Sequence, residues 1–328
     1  MSNEVTVCAI VVTFNRKLLL LDCLDSLRRQ TKSINAICII DNFSDDGTPE
    51  ILFKNGYIDT IVLDIITEPV EINFFCKDYR TGEIIKVHYV RMNENTGGAG
   101  GFHAGVKRAY EKGYDWFWLM DDDGKPDGEC LNNLYKYNFD YYFIAPLVIN
   151  CNNHDELSFG LYEEKQKKII KKMSDIDSLG NQDFIEGVAN PFNGVLLSKK
   201  IVKNIGFPMK EFFIWGDETE YMLRVIKNNY QVITVISAIH FHPEQKKIIY
   251  KNKFGFGSVF YHSDPNRFYI FIRNYSFIDW NYQKTEWIKS FLKYSFYFII
   301  TKKMSLNNYL NYLKALSDGL NKNFRNKI

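Results

Sequence analysis

Val5-Thr6-Val7-Cys8-Ala9-Ile10-Val11-Val12-Thr13 is an unbroken, β-branched apolar run, and it decides the fold. A strand with one wet face alternates apolar and polar residues. A run that is apolar throughout is buried on both faces, as in a parallel sheet covered by helices. The next segment, Lys17 to Gln30, changes period: Leu20, Leu21, Leu24 and Leu27 fall at helical spacing. Ala36 to Ile40 is a second buried strand ending at Asp41, and Asp46-Gly47-Thr48-Pro49 opens another helix. Thr48 is the expected N-cap there, with Pro49 at the first helical position. Strand–helix–strand–helix predicts an α/β, doubly wound sheet.

The rhythm breaks between residues 58 and 92. Ile72–Lys77 and Ile84–Arg91 flank Asp78-Tyr79-Arg80-Thr81-Gly82-Glu83, which reads as a hairpin inserted before the next core strand. A helix from about Gly101 to Lys112 follows. Trp116–Met120, Phe143–Val148, Phe192–Leu197 and Tyr230–Ile239 read as further strands. Residues 150–182, rich in Lys, Asn and Asp, read as a mobile or peripheral excursion.

The chain has 328 residues, 46% of them hydrophobic and 24% charged, an ordinary globular balance. A formal net charge of +2 supplies no global attraction to nucleic acid, so none is expected as a partner. Six cysteines without a C-x-x-C pair predict a reduced, cytoplasmic protein. No signal sequence and no long uncharged apolar stretch is seen, so a spanning helix is not expected.

Four strand ends are polar: Thr13-Phe14-Asn15-Arg16, Asp41-Asn42-Phe43-Ser44-Asp45-Asp46, Asn93-Glu94-Asn95-Thr96 and Asp121-Asp122-Asp123. Sheets of this class bind ligands beyond the carboxyl ends of their strands. Three consecutive carboxylates raise one another's pKa unless a cation sits among them. Oxygen ligands of this kind suit Mg²⁺ or Mn²⁺, which in turn hold a substrate's phosphates. Asn95-Thr96-Gly97-Gly98-Ala99-Gly100-Gly101-Phe102 lets a ligand approach the backbone. It is no dinucleotide fingerprint, because His103 stands where the third glycine belongs. Asp217-Glu218-Thr219-Glu220 opens a helix in which Glu220 and Arg224 form an i, i+4 pair. An acid here, behind the collar Phe212-Phe213-Ile214-Trp215-Gly216, suits a general base. His240 and His242 end a strand on one face, and alternation leaves open which is a metal ligand.

The order of these motifs resembles family 2 inverting glycosyltransferases of the GT-A fold, over about Val5 to His242. Asn95–Phe102 followed by Leu119–Asp123 is similar to bacterial galactofuranosyltransferases. The resemblance implies a mixed, Rossmann-like sheet flanked by helices, and a metal-dependent hexosyltransferase of cell-surface polysaccharide assembly. It implies that Thr13, Asn15, Arg16, Asp41 and Asn42 hold a UDP-sugar donor. Asn95, Gly97, Gly98, Asp121 and Asp122 would lie along its diphosphate and sugar. Asp121, Asp123 and His240 or His242 would bind Mn²⁺ or Mg²⁺, and Glu218, with Asp217 as rival, would be the base. The donor implied is UDP-galactofuranose, and the acceptor a glycan or lipid-linked oligosaccharide. The alternatives are another hexosyl donor such as dTDP-rhamnose, or a nucleotide-sugar-binding scaffold subunit without catalysis.

Residues 1–245 are read as the catalytic domain and 246–328 as a basic, aromatic helical extension. From Asn281 onward nine basic side chains oppose two acidic ones, with Trp287, Phe291, Phe296, Tyr297 and Phe298 among them. That pattern suits the anionic inner face of a membrane. Packing of the aromatics on the catalytic domain, or on a second subunit of a homo-oligomer, is the other reading.

Overall fold

The computed structural model describes residues 5–61, 66–163, 167–190, 192–244, 248–302 and 306–325. Lys303, Lys327 and the 245/246 boundary lie outside them. The chain begins β1 (Val7–Thr13), α1 (Lys17–Leu27), β2 (Ala36–Asp41), α2 (Thr48–Lys54), β3 (Val70–Lys77), β4 (Ile84–Arg91), α3 (Gly97–Glu111), β5 (Trp116–Asp121) and β6 (Lys125–Pro126). It continues through α4 (Cys130–Tyr135), β7 (Phe143–Asn150), β8 (Glu156–Glu163), β9 (Lys168–Lys172), α5 (Met173–Asp177), β10 (Phe184–Glu186), β11 (Val195–Ser198), α6 (Lys199–Ile205), α7 (Asp217–Lys227) and β12 (Val232–His242). The end of the chain adds β13 (Ile249–Lys251), β14 (Ser258–Phe260), α8 (Pro265–Tyr282), α9 (Lys284–Phe296) and α10 (Leu306–Leu320).

β1 is central, parallel to β2 on one side and to β5 on the other. The main path of the twelve-stranded sheet is β10-β12-β7-β11-β5-β1-β2-β4-β3, and it is mixed. Every residue of β1 is buried: Val7, Ala9 and Val11 face α1, α2 and α4, while Cys8, Ile10 and Val12 face α3, α6 and α7. Two apolar faces under two helical layers are what the continuous run dictates.

Four local features differ from the sequence reading. Thr48 is not the cap. Gly47 holds that position, and Asp46 Oδ1 accepts from the Thr48 N–H at 3.1 Å and its hydroxyl at 2.6 Å. The hairpin at 70–91 exists, but its second strand is no insertion: β4 pairs in parallel with β2 and extends the central sheet, leaving β3 at the edge. The glycine-dense stretch is the first turns of α3 rather than a loop. There a Cβ at Gly101 would stand 2.5 Å from Val12 Cγ1, and one at Gly105 2.4 Å from Ile10 Cγ2, so small residues let the helix lie directly on β1. The described residues of 150–182 are peripheral and ordered: β8 pairs with β7 and β9, and Leu161 and Ile170 are fully buried beneath α5.

The C-terminal helices form their own core around Phe268, Tyr294, Tyr297, Phe298 and Tyr312. Tyr297 and Phe298 are buried in it and Phe291 packs against it, while Phe296 stacks on Phe256 at 4.5 Å. Most of the aromatics expected at a membrane surface thus face inward, and the helices expose Trp280 together with the aliphatic Ile288, Leu292, Ile299 and Leu310. Among the described residues no helix is long and apolar enough to cross a membrane.

Candidate active site

The strand ends meet at one edge of the sheet because register brings them level. Thr13 lies beside Asp41, Asp41 beside Arg91, and Val12 beside Asp121. β11 is antiparallel to both β5 and β7, so β7 and its parallel partner β12 run in the same direction as β5. β12 therefore delivers His242 to the edge where β5 delivers the acids.

The three acids are not equivalent. Asp122 turns inward, accepting from Thr13 Oγ1 at 2.7 Å and Arg16 Nη1 at 3.2 Å. Asp123 takes Arg16 Nη1 at 2.8 Å, and its Oδ1 lies 3.1 Å from His242 Nε2. Asp121, Asp123 and His242 each offer one ligand atom, all within 4.8 Å of one another. The His242 Nδ1–H donates to the Pro243 carbonyl at 2.6 Å, which turns Nε2 toward the acids. Burial, reinforced by the charges of Asp123 and Asp122, pushes Asp121 up to about 7. Burial also raises Asp122, to about 6. Burial opposes ionisation of Asp123, but His242 and Arg16 hold it below the usual carboxylate range. His242 is raised in turn, the Asp123 contact outweighing burial. Two carboxylates and an imidazole in this array fit a divalent cation, and the buried Asp123 Oδ1, which accepts no aligned hydrogen bond, is an acceptor such an ion satisfies.

His240 does not join them. It is fully buried two residues earlier, with both ring nitrogens unpartnered among the described residues, in a slot walled by Gly124 and Gly194. A Cβ on Gly124 would stand 2.3 Å from His240 Nε2, and one on Gly194 2.8 Å from Nδ1. Burial lowers this histidine to about 3, so it is a neutral ring packed beneath the acidic turn.

Several other residues expected at the donor spend their hydrogen bonds on one another. Asp41, fully buried, accepts from Tyr89 and Arg91, each at 2.7 Å, and from the Ser44 N–H at 2.8 Å. Asn42 Nδ2 donates to Asn95 Oδ1 and the Gly97 carbonyl, both at 3.0 Å, while its Oδ1 accepts from Thr96. Asn95 Oδ1 also receives the Gly97 N–H at 2.9 Å. Asn15, at φ +55°, binds the 44–45 loop by its N–H and its side-chain oxygen. These side chains shape the loops, while Arg16, Phe14 and Phe43 stay exposed beside them and a Cβ at Gly98 would meet nothing within 4 Å.

Asp217 and Glu218 begin α7, and the Asp121 charge reaches Asp217. Asp217 is buried; burial, then the Glu218 charge and a shared hydrogen bond, raise it well above the carboxylate range. Glu218 is more open and accepts the Gly216 N–H at 3.0 Å. The expected pair is present, with Arg224 Nη2 2.9 Å from Glu220, whose other oxygen takes the Tyr282 hydroxyl at 2.6 Å.

The support for this helix start comes from α8, which the sequence reading did not single out. Asn274 Nδ2 donates to the carbonyls of Phe212, Ile214 and Trp215 at 3.0, 2.9 and 2.8 Å. The fully buried Arg273 donates through Nε and Nη2 to Asn274 Oδ1, fixing the amide's orientation. Phe213 and Trp215 both have positive φ, which costs energy in a non-glycine residue and needs such an anchor. The available signal was Arg273-Asn274, an adjacent polar pair inside the apolar run Phe268–Ile278.

Comparison with known proteins agrees with this geometry. Residues 8–58 and 73–187 match the family model described as glycosyl transferase family 2. The chain is 27% identical over 308 residues to the galactofuranosyltransferase GlfT1 of Mycobacterium tuberculosis, covering 91% of this chain and 90% of that one. It is 24% identical over 242 residues to the dTDP-rhamnosyl transferase RfbF of Shigella flexneri, covering 73% and 67%. Among solved structures it resembles GalNAc-T7 crystallised with UDP, GalNAc and Mn²⁺, with a TM-score of 0.57 at 14% identity. That match covers 97% of this chain and spans 55% of the other, and it shows the GT-A fold.

Proposed function

The chain belongs to glycosyl transferase family 2, and from that premise we propose that it transfers galactofuranose, with inversion, from UDP-galactofuranose to a glycan or lipid-linked acceptor of cell-surface polysaccharide assembly. The observation that carries the reading is the nearness of two carboxyl sets. Asp121, Asp123 and His242 can hold a cation beside the donor's diphosphate, and the Asp121 charge reaches Asp217, which precedes Glu218 at the start of α7. The likeness to GlfT1 over most of both chains supports the choice of sugar. The likeness to RfbF supports dTDP-rhamnose as the second reading.

The roles follow from the surroundings of each group. The acceptor hydroxyl oxygen attacks the anomeric carbon as the bond from that carbon to the diphosphate breaks. Glu218 receives the hydroxyl proton, and UDP leaves. Asp217 holds its own proton and donates toward Glu218, keeping the base oriented. Arg16, which reaches both Asp122 and Asp123, adds positive charge beside the departing diphosphate. A bound Mn²⁺ or Mg²⁺ supplies Lewis-acid neutralisation of the charge on that diphosphate. Phe14 and Phe43, exposed beside the β1 and β2 ends, offer flat faces for the uracil ring.

The exposed aliphatic face of α9 carries Ile288 and Leu292 close in sequence to Lys284, Lys289 and Lys293. It supports peripheral attachment to an anionic membrane, where a lipid-linked acceptor is presented. Sedimentation with anionic vesicles tests that part, and a dimer that ignores vesicles overturns it. The test of the central reading is calorimetric titration with UDP, dTDP and GDP, with and without Mn²⁺. UDP binding that strengthens with Mn²⁺ upholds the reading, preference for dTDP moves it to rhamnose, and no metal-dependent binding leaves a scaffold.

A further inference from the structure

A crevice of about 230 Å³ opens between α8, α9 and β14, outside the cleft that holds the acids. Its walls combine ring faces with hydroxyl groups, one carboxyl and one lysine: Phe271, Tyr275 and Trp287 stand with Ser258, Ser290, Asp279 and Lys293. Asp279 receives a long hydrogen bond, 3.5 Å, from Ser290 Oγ, so most of its acceptor capacity is uncommitted. Apolar walls with a few convergent polar groups are the composition of a small-molecule site. The volume is below the about 300–1,000 Å³ typical of drug-sized ligands, which suits a single ring. A ring with C–H faces and hydroxyl edges, as in a neutral sugar, satisfies both kinds of wall. An acyl or prenyl chain would leave Asp279 and the serines facing hydrocarbon, which is costly.

The crevice adjoins the acid pair. Tyr275 lines it, and the same side chain lies against Thr219 and feels the charges of Glu218 and Asp217. The Phe271 ring is 4.5 Å from that of Tyr275 and 6.2 Å from that of Trp215, two residues ahead of Asp217. Tyr275 therefore joins the crevice wall to Thr219, the residue next to Glu218.

We propose that this crevice is an acceptor subsite, which holds one sugar unit of the acceptor glycan while a neighbouring unit presents its hydroxyl to Glu218. The proposal rests on the glycosyl-transfer reading and adds to it the place where the acceptor is held. It makes α8 and α9 part of the recognition surface, so acceptor choice depends on residues beyond the nucleotide-binding half of the chain.

The test uses the full chain and needs no turnover. Saturation-transfer NMR is recorded with methyl glycosides of galactose, glucose, rhamnose, mannose and N-acetylglucosamine, with and without UDP and Mn²⁺, and with the octyl glycoside of each. The variants are Asp279→Asn, which removes the carboxylate with little change of shape, and Ser258→Trp, which fills the mouth from an exposed position. Transfer to at least one methyl glycoside is expected in the wild type, falling about tenfold in both variants, while UDP titrations stay unchanged. Two results overturn the proposal: no methyl glycoside responding in the wild type, or equal responses in wild type and both variants. Saturation confined to octyl chains also overturns it and makes the crevice a lipid-tail site. Failure of UDP to bind with intact methyl-glycoside binding would count against the donor reading and leave the subsite standing.

Discussion

The Asn274 side-chain amide donates to the Trp215 carbonyl at 2.8 Å, tying α8 to the loop that ends two residues before Asp217. The same amide serves Phe212 and Ile214, and Arg273 holds it in place from the other side. A helix that the sequence presents as an appendage thereby sets where the candidate base stands. Gly216 reinforces the fit: a Cβ there would lie 2.9 Å from Ile278 Cδ1.

Asn274→Ala removes the donors of three backbone carbonyls in a half-buried loop. An unsatisfied buried group costs about 1–3 kcal/mol, and partial relaxation makes a total of about 2–4 kcal/mol reasonable here. Thermal melts should show that loss. Steady-state kinetics should show kcat falling with little change in the affinity for UDP, because the Asp121 side of the cleft is untouched. An Asn274→Ala protein with full kcat would mean the loop holds its shape without α8.

His242 and His240 should separate cleanly. His242→Ala removes a nitrogen from the Asp121–Asp123 group and is expected to weaken Mn²⁺-dependent UDP binding at least about tenfold, the lower end of what losing even a ligand's supporting partner costs a metal site. His240→Ala empties the slot between Gly124 and Gly194 instead, and should cost about 2–4 kcal/mol of stability, as large-to-small core changes do. Titration calorimetry and urea melts on both variants decide between them. The reverse pattern would make His240 the ligand.

The ion should bind more tightly as pH rises. Asp121 stands at about 7, and a cation takes only its deprotonated form, so binding in the neutral range releases a proton. His242, raised by Asp123, must give up its extra proton as well. Affinity for Mn²⁺ is therefore expected to climb between about pH 6 and 8, by up to about tenfold per unit for each proton released, and to level off above the raised values. Titrations in buffers of different ionisation enthalpy count the protons. A flat profile would show that Asp121 is ionised throughout.

Much of this was legible in the sequence, and the parts that were not share a cause. The continuous run at Val5–Thr13, the carboxylates after Met120 and the acids after Gly216 announce a sheet, its ligand edge and a helix start through local chemistry alone. The choice of His242 over His240 depends on what packs beside each ring, and glycines 124 and 194, distant in the chain, decide it. The glycines after Thr96 suggest a ligand loop, yet Gly101 and Gly105 serve contact between α3 and β1. Asn42 and Asn95 look like ligand groups until their partners are seen to be each other. Long-range satisfaction of polar groups, as with Asn274, leaves only a faint local trace.

The two acids at the head of α7 give the sharpest functional prediction. A general base must be ionised at working pH and within reach of the proton it takes. Asp217 is buried and raised well above the usual carboxylate range, so it carries a proton and serves as a donor to its neighbour. Asp217→Asn preserves that donor with the same shape, and should retain activity within about tenfold. Glu218→Gln removes the only member of the pair able to accept a proton. It should lower kcat by at least about a hundredfold, the lower range for loss of general-base catalysis, while UDP binds as before. If Asp217→Asn is the dead variant and Glu218→Gln the active one, the roles are exchanged, and the proton on Asp217 must be displaced when substrates bind.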